Sequence, residues 1–294
     1  MPVIAVANNK GGVSKTTTAC NVAYCMAQRG EKVLLIDMDS QGNATRTYGV
    51  SPEQYSVGMY HLLLDQIRMM LLDKPKYSIR KAVLKTSYGL DLIPCDSRVS
   101  EISTWLQDHA AVFNGADLQR YWQKEFPFFL LKILDEVRGK YTRIIIDTPP
   151  AFEYNTKASL IASDHIIIPV ELGDLELTGL ESLFKKIVGF KKDYDRDVSV
   201  LGIIVNRYDW GKKGGRTVVE RALEEQLREH PVFGKYVCQN IIYRNTSIRE
   251  AAVLGKLAAT YEKKNARSAR ENFDEFVEEI EIRLAREEAA ASGD

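Results

Sequence analysis

Residues 3–17 read VIAVANNKGGVSKTT: a short apolar run passes directly into a turn containing Gly11 and Gly12, and then into Lys15, Thr16 and Thr17. The apolar run has the pattern of a buried strand, and a helix is expected to begin near Thr16, so the glycines occupy a strand-to-helix turn. Glycine lets the backbone curl so that successive N–H groups face inward, and the helix N-terminus behind them adds positive potential. The stretch Lys10, Gly11, Gly12, Val13, Ser14, Lys15, Thr16 and Thr17 is therefore expected to cradle phosphates. Within it Lys15 would reach the β- and γ-phosphate oxygens of a nucleotide and the Thr16 hydroxyl would bind Mg²⁺. A glycine turn after a strand can be purely structural; the adjoining Lys-Thr-Thr is what argues for a nucleotide.

Five further apolar runs punctuate the chain: VLLID at 33–37, LDLIP at 90–94, RIIID at 143–147, HIIIPV at 165–170 and VLGIIVN at 200–206. Such continuous, β-branched runs read as strands buried on both faces, and the helical patterns between them complete βα units. The expectation is an α/β fold, a doubly wound, mostly parallel sheet flanked by helices. Ligands in such sheets bind beyond the carboxyl ends of the strands. Four strand ends carry the informative residues: after Ala7, after Ile36, after Ile146 and after Val205. There Asp147 is expected to hold Mg²⁺, Asp37 to support the metal shell, and Asp39 to orient an attacking water. One strand-end aspartate is often only a cap or turn former, whereas three in register with a phosphate loop point to a Mg-phosphate site.

The pattern KGGxxK[ST][ST], with the second lysine Lys10 ahead of the glycines, resembles the deviant Walker A class of P-loop ATPases that includes the ParA partition ATPases and the MinD cell-division ATPases. Two more segments resemble the partition ATPases in the same order: VLLIDMDSQGNAT at 33–45, similar to a DxDPQGN segment, and IIIDTPP at 144–150, similar to their Walker B sequence. YRNTSIREAAVLGK at 243–256 resembles their C-terminal segment. The resemblance spans most of the chain and is weakest at 51–140. It implies that Lys10 reaches across a two-fold axis to the ATP of a partner subunit, that Lys10, Lys15 and Asp39 act together in slow ATP hydrolysis, and that ATP and Mg²⁺ are the cofactors. It also implies that Asn206 reads adenine through its amide; a turn-forming asparagine at a strand end is the alternative. Two positions depart from the pattern. Ser14 stands where glycine is usual, which matters if that position needs positive φ, and Ser40 replaces a proline after Asp39.

The 294 residues are 45% apolar, enough to bury one large core, so a single domain over 1–294 is expected, with helical elaboration around 51–140 and a C-terminal helix around 266–286. Trp105, Tyr121 and Trp122 in the elaboration read as packing aromatics, with an interface as the other possibility. Cys20, Cys25, Cys95 and Cys238 form no CxxC pair and read as buried small hydrophobes, and no cysteine follows the strand ending at Asp147 closely enough to ligate a bridging cluster. No apolar run could span a bilayer, the N-terminal segment has no signal-peptide plan, and with the first strand starting at residue 3 no separate N-terminal helix-turn-helix domain is expected. The final helix places Phe273, Phe276, Val277, Ile280 and Leu284 on one face with acidic residues opposite, which suits docking on the protein body better than a membrane anchor. A cytoplasmic, nucleoid-associated protein with no membrane partner is expected.

Lysine and arginine total 40 and aspartate and glutamate total 40, yet the charge is uneven. Residues 185–256 carry 15 basic against 9 acidic side chains, and residues 257–294 carry 6 against 10. Partition ATPases bind DNA without sequence preference, so Arg244 and Arg249, with Lys212, Lys213, Arg216 and Lys256 as outer members, are the candidates to neutralise phosphates. The Lys212 group could equally meet an acidic protein. The implied partners are a second copy through ATP, non-specific nucleoid DNA, and a ParB-like centromere-binding or cargo adaptor protein. Two alternatives remain at this point: a ParA-like ATPase that positions or assembles a protein complex without touching DNA, and a metabolic kinase or ligase, against which Lys10 argues.

Overall fold

The computed structural model describes residues 1–70, 74–102, 124, 126–150, 154–172, 177–208, 210–211, 215–216, 218–243, 246–261 and 269–292. Strand β1 (Val3–Val6) lies in the middle of an eight-stranded sheet, leads into helix α1 (Lys15–Gln28), and is followed by β2 (Val33–Asp37) and a short α2 (Asn43–Thr47). The elaboration contributes α3 (Met59–Met70), α4 (Ile79–Ala82), β3 (Leu84–Lys85), β4 (Asp91–Ile93) and α5 (Phe129–Asp135). Then come β5 (Arg143–Asp147), α6 (Tyr154–Ala162), β6 (His165–Glu171), α7 (Leu177–Tyr194) and β7 (Ser199–Tyr208). The chain closes with the two-stranded ribbon β8 (Trp210–Gly211) and β9 (Gly215–Arg216), then α8 (Val218–Arg228), β10 (Val237–Tyr243), α9 (Thr246–Val253) and α10 (Ala269–Ser292).

The main sheet runs β10-β7-β6-β1-β5-β2-β4-β3, parallel throughout except for the antiparallel edge pair β3/β4. Its period-two alternation builds two cores. Val3, Ala5, Ile144 and Ile146 face a layer made by α3, α5, α6 and α7, while Ile4, Val6 and Ile145 face α1 and α10. The six expected runs are all strands, and β1, β2 and β5 are buried along almost their whole length, as continuous β-branched runs require.

Three features differ from the sequence reading. Strand β10 has polar Gln239 and Asn240 in its middle and a register shift against β7, so no continuous apolar run announces it. The basic loop at 210–216 is flanked by a small antiparallel ribbon. The C-terminal helix runs to Ser292, six residues past the expected end, because its alanine-rich last turns favour helix. Its Phe273, Phe276, Val277, Ile280 and Leu284 are all buried against the body, as the pattern required. All four cysteines are buried and free. Trp105, Tyr121 and Trp122 lie outside the described residues. No described helix is long and apolar enough to cross a membrane.

Candidate functional site

The parallel register brings the carboxyl ends of β2, β5, β1, β6 and β7 side by side: Asp37 and Val6 both pair with Asp147, and Glu171 pairs with Asn206. The phosphate loop covers this edge. Asn8 fastens its start by donating to the Pro169 carbonyl at 2.7 Å and accepting the Lys10 N–H at 3.0 Å. Gly12 has φ 81° and Ser14 has φ 67° and ψ 32°, so the position where the serine replaces glycine is left-handed. A β-carbon in that region costs about 1 kcal/mol or more, which the loop accepts in order to turn Lys15 inward. Ser14 is also the N-cap of α1 but makes no side-chain cap, and the first turn of the helix holds no acidic residue. The positive end of α1 is thus left for an anion.

Lys15 is 7% exposed and its ammonium donates to the Lys10 carbonyl at 2.7 Å, inside the curl of the loop. Burial lowers its pKa, opposed by the Asp147 and Asp39 carboxylates nearby. Asp147 is fully buried, and neither carboxylate oxygen has a hydrogen-bond partner. Burial first, and repulsion from Asp37 next, drive its carboxyl well above the ordinary range; the Thr16 hydroxyl, close by but short of bonding geometry, and the Lys15 ammonium oppose this. An orphaned, buried acceptor pair beside a lysine and a threonine hydroxyl is chemically able to receive a cation.

Asp37 is placed differently. Its Oδ1 accepts the Asp39 N–H at 3.1 Å, and its Oδ2 accepts both the Thr45 N–H at 2.9 Å and the Thr45 hydroxyl at 2.7 Å. Burial pushes its carboxyl up to about 7, held back by those three donors. Asp37 therefore supports the site by fixing the β2–α2 loop, not by presenting open oxygens to a metal. Asp39, 6% exposed, sits on that loop and accepts the Gln41 N–H at 3.0 Å. Gly42, with φ 62°, closes the turn so tightly that a β-carbon there would lie 2.7 Å from the Cys95 carbonyl oxygen.

Asn206, the expected adenine reader, is buried beside the phosphate loop. Its amide nitrogen donates to the Val13 carbonyl at 3.2 Å and to the Thr18 hydroxyl at 3.0 Å, and the residue is 2% exposed, so its donors are spent on the phosphate loop and α1. Of the DNA candidates, Lys212, Lys213 and Arg244 lie outside the described residues; Arg216 ends β9 and Arg249 lies in α9, their side chains likewise outside. Lys256 is exposed. Thr45 and Asn8 were not singled out from sequence: Thr45 lies within the quoted 33–45 segment, but nothing in its spacing shows that its hydroxyl joins Asp37 to the Cys95 N–H, at 3.0 Å.

A family model described as an AAA domain matches residues 1–200. Over 269 residues the chain is 30% identical to the chromosome partitioning protein ParA of Caulobacter vibrioides, covering 90% of this chain and 89% of that protein. The chain belongs to the ParA/Soj family of partition ATPases. Its ParA/Soj membership is equally visible against the chromosome-partitioning ATPase Soj of Thermus thermophilus, 31% identical over 258 residues, 88% of this chain and 87% of that one. The ParA-type fold extends to the ATP complex of a Cyanothece McdA variant, at TM-score 0.75 and 21% identity over 97% of this chain and 96% of that one.

Proposed function

We propose that this chain is a Mg-ATP-dependent switch that dimerises around nucleotide, binds duplex DNA without sequence preference in that state, and is released when an adaptor protein stimulates hydrolysis. The observation that carries this reading is the orphaned Asp147 carboxylate beneath a loop with lysines at both Lys10 and Lys15. Among the described residues no group of three or more His, Cys, Asp or Glu is arranged to hold a metal by itself. That suits Mg²⁺, which takes one or two carboxylates and completes its shell with water and substrate phosphates. Thr16 and Asp147 would hold it. Bound there, the ion would neutralise charge on the phosphate oxygens.

The protein groups divide the remaining work. Loop N–H groups and the α1 N-terminus receive the phosphates, Lys15 exchanges its bond to the Lys10 carbonyl for a phosphate oxygen, and Asp39 orients the attacking water. Lys10 completes the site across the dimer. Turnover is slow until partner and adaptor set these groups together. The whole chain, 1–294, acts as one ATPase domain, cytoplasmic and nucleoid-associated, with Arg244 and Arg249 as leading DNA contacts and Lys212, Lys213, Arg216 and Lys256 around them.

The test is retention on non-specific duplex DNA across a salt series, with ATP, ADP or no nucleotide. Wild-type binding that requires ATP, weakens with salt and is lost in Lys10→Ala, Lys15→Ala and Arg244→Ala supports the reading. A protein that dimerises with ATP but never binds DNA overturns the DNA half and leaves an ATPase that positions or assembles a protein complex.

A further inference from the structure

We infer that the outer stripe of α10 is a self-complementary surface on which a second copy of this chain docks, the two helices antiparallel and crossing at Ile282. The stripe follows from helix geometry. At 3.6 residues per turn, Glu271, Glu275, Glu278, Ile282, Arg286 and Ala289 fall on one face, and all six are exposed. Phe273, Phe276, Val277, Ile280 and Leu284, which bury against the body, lie opposite. Ile282, in the middle of the stripe, is 48% exposed. A lone exposed isoleucine is ordinary; its neighbours are what single it out. Glu278 stands four residues before it and Arg286 four residues after it. About 12 Å apart along the axis, these two charges do not reach one another within a single helix. Nor does the helix offer either of them a partner three or four residues away: Glu278 has Asp274, Glu275, Glu281 and Ile282 there, and Arg286 has Ile282, Arg283, Ala289 and Ala290.

A two-fold axis through Ile282 supplies both missing partners. In an isologous contact residue i meets j and j meets i, so an antiparallel second copy sets Ile282 on Ile282, Glu278 against Arg286, and Arg286 against Glu278. Glu275 then faces Ala289, and the small Ala285 and Ala289 let the helices approach. The ground beside the helix is polarised in the same sense. Arg283 reaches the Tyr236 and Val237 carbonyls at 3.0 Å while Glu279 takes the Gln239 and Asn240 N–H groups at 3.0 Å, so α10 and β10 run antiparallel. Exposed Lys235 therefore falls at the Arg286 end of the open groove between them, a space of about 740 Å³ with room for part of a second helix. Glu279 already occupies two N–H groups of the edge strand β10, which blunts it against an added strand and leaves a helix as the fitting occupant. Ser199, the first residue of β7, donates to Glu287 at 2.7 Å, which puts this half of α10 at the amino end of the sheet, away from the phosphate loop. One helix pair is small beside a standard interface, so the association is weak, with a dissociation constant on the order of 0.1 mM, and sensitive to salt.

The experiment is sedimentation equilibrium of the full chain without nucleotide, from about 10 µM to about 500 µM and at low and high salt. Wild type should dimerise, more weakly as salt rises. Glu278→Arg and Arg286→Glu each set two like-charge pairs against one another, because the symmetry repeats the change, and each should weaken association by about tenfold or more. The variant carrying both changes is complementary again and should associate within about threefold of wild type. An equimolar mixture of the two single variants should form the mixed dimer although neither associates alone. Ile282→Ser should weaken the dimer by about tenfold. All three side chains are exposed, so the urea midpoint of each variant should match that of wild type. A wild type that stays monomeric over the whole range overturns the inference. So do single variants that associate like wild type, or a double exchange that stays as weak as the singles. No nucleotide is present, so none of these outcomes bears on the Mg-ATP reading.

Discussion

The two ends of strand β7 treat buried polar groups in opposite ways. Near its start, where β10 and α10 pack against it, each charge is matched. Arg283 donates to the Leu201, Tyr236 and Val237 carbonyls at 3.0 to 3.1 Å and pairs with Glu279 at 2.8 Å. Glu279 in turn accepts the Gln239 and Asn240 N–H groups at 3.0 Å, donors that the register shift in β10 frees from the sheet. Along the carboxyl edge of the sheet, by contrast, Asp147 at the end of β5 and the Asn206 side-chain Oδ1 on β7 are buried with nothing bonded to them. Arg143 Nε and Asn272 Oδ1 are orphaned outside the site as well, but a buried carboxylate with neither oxygen bonded is far the costlier group, and that cost falls on the ligand-free protein. The orphaned carboxylate is therefore a better marker of function than the depth of any groove.

The contrast can be broken first at the site. Lys15→Ala or Asp147→Asn should each weaken Mg-ATP by at least about a hundredfold, the effect of losing an interaction with a buried, charged group. The two variants should differ in the absence of ligand: Asp147→Asn removes a buried unpaired carboxylate and should raise the thermal midpoint of the ligand-free protein. Differential scanning fluorimetry with and without Mg-ATP reads both effects, and a full ligand-induced shift in Asp147→Asn would contradict the assignment. At the framework end, Arg283→Met should cost about 2–3 kcal/mol in urea unfolding, since it removes the charge partner of Glu279 and the donors to three carbonyls. Nucleotide affinity should not change.

The next effect is one of pH. Asp37 has its carboxyl raised to about 7 by burial, so the folded state holds that proton more tightly than the unfolded chain. Stability from this source is complete below about pH 4 and is lost as pH rises through about 7. Asp96 has the opposite sign: hydrogen bonds from Arg98 hold its carboxyl at about 2, so its contribution is present above about pH 4 and is lost as pH falls toward 2. Ligand-free protein should therefore be more stable to urea at pH 5.5 than at pH 7.5, and Asp147→Asn should flatten that difference. Equal wild-type stability at the two pH values would remove the case for a strained carboxylate pair.

The smallest effect is at Ser14. Ser14→Gly releases a left-handed serine with no cap to lose and should stabilise the protein by up to about 1 kcal/mol, seen as a rise in the urea midpoint without a change in slope. A loss of stability would mean that the serine side chain holds the loop.

What the sequence made legible follows from how each element is specified. The runs at 33–37 and 143–147 became β2 and β5 to the residue because both faces are buried and the apolar pattern has no gap. Strand β10 was hidden because its polar Gln239 and Asn240 are satisfied by Glu279, a partner nearly forty residues away that no local pattern announces. At the site, the order of residues identified the loop and the aspartates, but not their division of labour. Asp37 and Asp147 look alike in sequence, and only the register and the Thr45 hydroxyl show that one is engaged and the other open. Asn206 likewise reads as a strand-end amide until its donors are seen to face the loop.

The most direct test of the central claim is calorimetric titration of ATP into wild type and Asp147→Asn, each with Mg²⁺ and with chelator. The expected result is saturable binding by wild type that weakens at least about tenfold when Mg²⁺ is removed, and Asp147→Asn binding that is weak and indifferent to the ion. Binding by wild type that is equally tight with and without Mg²⁺, or a Mg²⁺ dependence that survives in Asp147→Asn, would contradict the assignment of the orphaned carboxylate as the metal ligand.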